Sequence, residues 1–146
     1  MRNISKCIHF SIFLLISAFL LFSCSQRTLE DFRDEGEGVV RALTAELKKI
    51  RSRDDLLTHA PNLKKYFELL ADIIIEASKY KETHPESELI SPNKKEQSAS
   101  DQLRIELNRV LHLDGGPEVI EKVQEEALNR LELFNKTTLK MTFSSI

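Results

Sequence analysis

A thiolate is the strongest nucleophile that a side chain offers near neutral pH. This chain of 146 residues holds two cysteines, Cys7 and Cys24. Cys24 stands where an apolar run ends: Leu21, Phe22 and Ser23 precede it, and Ser25, Gln26 and Arg27 turn the chain polar. No histidine is placed beside it as a cysteine protease would require, and no G-x-S-x-G stretch offers a serine nucleophile instead. Metal chemistry needs convergent ligands, but His59, His84 and His112 are spaced 25 and 28 residues apart, without an H-x-x-x-H pair. Glu82, His84, Glu86 and Glu88 cluster in a polar stretch and read as a solvated acidic loop, so no metal site is expected. Gly115-Gly116 could turn free N–H groups toward an anion. Asp114 and Glu118 flank that place, and no G-x-x-x-x-G-K is present, so the doublet reads as a turn. Carboxylate pairs such as Glu121 and Glu125, or Glu125 and Glu132, fall at helical spacings and read as surface charge. No catalytic residue is expected.

The element that positions Cys24 is the N-terminus. Arg2 and Lys6 form a positive segment without acids, and Ile8 to Phe22 is apolar but for His9, Ser11 and Ser17. As a helix this run spans about 22 Å, short of the roughly 30 Å hydrocarbon core. It has the proportions of a cleaved export signal. Cleavage after Ser23 would leave Leu21 at −3, Phe22 at −2, Ser23 at −1 and Cys24 at +1.

That arrangement resembles the lipobox of bacterial lipoproteins, with Phe22 departing from the small residue usual at −2; relaxed boxes of this kind are similar to those of chlamydiae and spirochaetes. The resemblance covers the first 24 residues. It implies a diacylglyceryl group on the Cys24 sulfur, cleavage between Ser23 and Cys24, and N-acylation of the new amine. The covalent lipid on Cys24 would be the chain's one non-protein group, with no other cofactor. The membrane would be its partner through that anchor, together with a possible envelope protein. In enteric lipoproteins serine after the cysteine accompanies outer-membrane placement, so Ser25 favours the outer over the inner membrane of the cell envelope. With Cys7 removed and Cys24 a thioether, the mature chain carries no thiol, which suits an oxidising compartment. Loss of Arg2 and Lys6 takes the formal net charge from −2 to −4, which speaks against a nucleic-acid partner.

Beyond the tether, Thr28-Leu29-Glu30-Asp31 has the form of a capping box. Leu29, Phe32, Gly36, Val39, Val40, Leu43, Leu47 and Ile50 then share one helical face. Asp54 to Pro61 reads as a short connection, with Asn62 capping a second helix whose inner face carries Leu63, Tyr66, Phe67, Leu70, Ile73, Ile74 and Ala77. Residues 81–100, with two prolines and no apolar period, predict a mobile linker. A third helix follows with Leu103, Leu107, Val110 and Leu111 inward. After the glycine turn, a fourth runs from Pro117 to about Lys136, with Ile120, Val123, Ala127, Leu131 and Phe134 inward.

The predicted fold is all-α, a small antiparallel bundle of about four helices after an N-terminal signal helix. The predicted divisions are a signal peptide 1–23, a lipidated tether 24–27, a helical bundle domain 28–136 with linker 81–100, and an irregular tail 137–146. The function expected is that of a membrane-anchored lipoprotein presenting a non-enzymatic structural or protein-interaction module. A carrier of lipid or another apolar ligand is one alternative, and an enzyme with a dispersed Glu/His site is the other.

Overall fold

The computed structural model describes residues 27–86 and 94–143 of the chain. They form four α-helices: α1 (Leu29–Lys49), α2 (Arg53–Thr83), α3 (Lys94–Leu111) and α4 (Gly116–Phe143). The fold is all-α, as the periodicity predicts. The predicted N-terminal signal helix lies outside the described residues.

Two helices start by the same device. At α1, Thr28 Oγ1 accepts from the Asp31 N–H (3.2 Å) while the Asp31 carboxylate accepts from the Thr28 N–H (2.7 Å). At α2, Ser52 Oγ accepts from the Asp55 N–H (3.2 Å) and the Asp55 carboxylate accepts from the Ser52 N–H (3.1 Å). Each reciprocal pair satisfies donors that a helix start otherwise leaves without partners. Capping hydrogen bonds, led by those from the backbone, hold both aspartates below the ordinary carboxylate range.

Three predicted boundaries are corrected. Residues 54–61 are the first turns of α2, not a connection, and Pro61 lies inside that helix. Proline there removes one backbone donor, yet the Ser52 cap and the burial of Leu56 carry the helix through it. The linker is shorter than 81–100, because 81–83 complete α2 and 94–100 open α3. Arg33 on α1 grips Glu96 through two hydrogen bonds, a tertiary contact that apolar spacing cannot reveal. The tail is helical through Phe143, and residues 144–146 lie outside the described set.

Helices consecutive in the chain run antiparallel, but α1 and α3, and likewise α2 and α4, lie side by side in parallel. Arg33 and Glu96 join the first turns of α1 and α3, while Arg109 near the end of α3 reaches the end of α1. Likewise Arg53 meets Asp114 at one pole, and Asp72 meets Arg130 further along α2 and α4. The spatial order is therefore α3-α1-α2-α4, with α3 and α4 meeting little. Where they do approach, a Cβ on Gly116 would lie 2.3 Å from the Val110 carbonyl oxygen, so the turn requires glycine. Gly115 beside it adopts φ +67°, a left-handed conformation that glycine takes without strain.

The core gathers at the pole formed by the end of α1, the start of α2, the end of α3 and the start of α4. Leu43, Leu47, Ile50, Leu56, Leu63 and Val110 are completely buried there, with Ile120 and Val123 beside them. Each such leucine or isoleucine contributes about 2 kcal/mol by leaving water. Toward the other pole the covering thins. Ile74 lies on the same stripe of α2 as Leu56 and Leu63, yet it is 50% exposed.

Candidate functional site

The strongest convergence of polar side chains is at the α1–α2 interface. Glu46 is buried on α1, one position before Leu47, on a helix whose apolar face draws it inward. Its Oε1 accepts from Asn62 Nδ2 (2.7 Å) and meets His59 Nδ1 (2.8 Å), and its Oε2 accepts from Lys49 Nζ (2.7 Å). Burial alone would raise its pKa, but hydrogen bonds from Lys49, Asn62 and His59 outweigh it and hold the carboxyl at about 2. A carboxylate so stabilised is a poor proton acceptor at neutral pH. The arrangement clamps α1 to α2, and its chemistry is that of a fixed charge.

Asn62, predicted to cap a helix, is instead this donor from within α2, and Ser52 is the cap. Sequence reading also missed Glu46, because one carboxylate on an apolar face looks like any surface acid until its partners one helix away are known. Arg109 was missed for the same reason. Its guanidinium donates to the carbonyls of Ile50 (2.8 Å) and Leu47 (2.7 Å), closing the end of α1 from a different helix.

The other sequence candidates are dispersed. His84 stacks on Tyr80, with ring centroids 4.1 Å apart, and its Nδ1 lies 2.9 Å from Thr83 Oγ1. His112 Nδ1 lies 2.7 Å from the Asn108 carbonyl. Glu82 and Glu86 lie near His84 on exposed chain, and Glu88 falls outside the described residues. Among the described residues no group of three or more His, Cys, Asp or Glu side chains could hold a metal ion. Gly115-Gly116 forms a turn, with the Gly116 N–H donated to the Leu113 carbonyl (2.9 Å).

Leu21, Phe22, Ser23 and Cys24 lie outside the described residues, but the place where the chain enters the bundle, at Arg27, is defined. Arg27 donates to Glu35 on α1 and to Glu76 on α2, and its guanidinium carbon lies 4.4 Å from the centre of the Phe32 ring. Phe32 packs in turn against Tyr80, centroids 6.0 Å apart. The chain thus enters at the pole opposite the tight core. Glu76 also lines a groove of about 600 Å³ between α2 and α4, with Ile75, Lys79, Arg130, Leu133 and Phe134 among its walls. Among the described residues no helix is long and apolar enough to cross a membrane.

No protein-family model, no curated protein and no solved structure matches this chain.

Proposed function

We propose that this protein is a bacterial lipoprotein, lipidated at Cys24, that holds a helical structural or protein-interaction module against a membrane of the cell envelope, with the outer membrane favoured by Ser25. The observation that carries this reading is the sequence Leu21-Phe22-Ser23-Cys24 at the end of a fifteen-residue apolar run. The entry point of the chain supports it. Only Ser25 and Gln26 separate Cys24 from Arg27, whose side chain is pinned to α1 and α2. An extended chain advances about 3.5 Å per residue, so Arg27 sits within roughly 11 Å of the modified residue. One acyl chain holds a protein marginally and two or more hold it firmly, so a diacylglyceryl group with an N-acyl chain anchors the bundle without help from charge.

A non-enzymatic module fits the chemistry of the described residues best. Glu46 has both oxygens committed to neighbouring side chains, and His59, His84 and His112 make separate contacts that do not converge. The test is incorporation of radiolabelled palmitate into the wild-type protein and into Cys24→Ala. Label in the first and none in the second is the expected result; equal labelling, or none in either, overturns the proposal.

A further inference from the structure

Resting on that reading, we infer that the α2–α4 groove beside Arg27 is a second membrane contact, in which Ile75, Leu133 and Phe134 meet the surface of the bilayer that the Cys24 lipid enters. Leu133 is the most exposed large apolar side chain among those described, at 67%. A single exposed leucine means little, but this one adjoins Phe134 and Ile75 in one groove. Apolar patches rimmed by polar groups mark contact surfaces.

The choice of lipid over a protein follows from the tether. Arg27 hydrogen-bonds Glu76, and Glu76 lines the groove, so the rim begins at the residue that the anchor holds within about 11 Å of Cys24. The charges around the groove suit a zwitterionic interface. Asp72 pairs with Arg130, and Glu76 shares Arg27 with Glu35, while Lys79 and Glu82 also line the groove. Lys79 reaches over the Phe134 ring, its Nζ 5.9 Å from the centroid. A lysine in that position lays its aliphatic stem along apolar surface and keeps its head in water, as side chains do at a membrane boundary. The contact needs no excess of basic residues, consistent with the negative formal charge of the chain, −2 with Arg2 and Lys6 and −4 without them.

The lipidated protein, reconstituted in phosphatidylcholine vesicles containing a spin-labelled quencher lipid, tests this. A thiol-reactive fluorophore is placed at Leu133→Cys in one preparation and at Leu57→Cys in another. Leu57 is 52% exposed and lies about 28 Å from Glu76 along α2, by the helical rise. Interfacial contact buries an apolar face by about 5–10 Å, so quenching at 133 is expected to exceed that at 57 at least roughly twofold. Flotation of the same samples separates the two ideas. Protein that floats with equal quenching at both sites overturns the groove contact and leaves the anchor standing, with a protein occupant then favoured. Protein that does not float overturns both.

Discussion

Glu46 keeps its charge where burial opposes it, because three donors from two helices converge on two oxygens. An unfolded chain would protonate this carboxyl near 4.5, whereas the folded protein holds it ionised to about 2. The folded pKa is the lower one, so the contribution is complete above about pH 4.5 and disappears as the pH falls from there to 2. At about 1.4 kcal/mol per unit, the lost stability amounts to about 3 kcal/mol. Glu46→Gln is expected to cost about 2 kcal/mol at pH 7 and to flatten the acid limb. Urea unfolding at pH 7 and pH 3 checks this; a variant as acid-sensitive as the wild type would refute the assignment. Arg109 makes a parallel case. Its planar fork satisfies two carbonyls at once, so Arg109→Lys, with one compact charge, should lose about 1 kcal/mol in the same assay at pH 7. Neither residue was legible in the sequence as more than surface charge, since its meaning lies in partners 13 to 62 positions away.

Elements were legible in proportion to how local their causes are. The inner faces of α1 and α4 follow from apolar spacing alone, and Leu43, Leu47, Ile50, Ile120, Val123 and Ala127 are buried as that spacing predicts. The start of α2 was equally local, since Ser52-Arg53-Asp54-Asp55 repeats the form of Thr28-Leu29-Glu30-Asp31, but Pro61 drew the boundary too late. Ser52→Ala should therefore cost about 1 kcal/mol by removing a helix cap. The opening turns of α3 were illegible, because that stretch is polar and is held by Arg33. Glycines allow an internal comparison. A Cβ at Gly38 would meet nothing within 4 Å, whereas one at Gly116 would strike the backbone of Val110 and Leu111. Gly38→Ala should thus raise stability by up to about 1 kcal/mol, while Gly116→Ala should lower it. Thermal melts of the two variants must move in opposite directions.

At the scale of the molecule, parallel lateral neighbours and a core drawn to one pole divide the bundle into a tight end and a loose one. The completely buried side chains of all four helices meet around Leu47, Leu63, Val110 and Ile120. Toward Arg27, α3 and α4 give each other little support, and Ile74 and Leu133 stand open to solvent. Sequence periodicity could not show this, because Ile74 shares its stripe with Leu63 and differs only in what lies opposite. Local opening free energy follows buried apolar contact. Amide exchange should therefore be slowest in residues 43–50, 56–67 and 120–127 and faster in 72–80 and 130–138, even though nearly all are helical. Leu63→Ala, which empties the tight end, is expected to cost 2–5 kcal/mol, and Leu133→Ala to change stability by less than about 0.5 kcal/mol. Uniform protection along α2 would contradict this division. The looser half of the bundle is the half next to Arg27. The face with the fewest internal contacts is then the one freest to adapt to a surface placed against it.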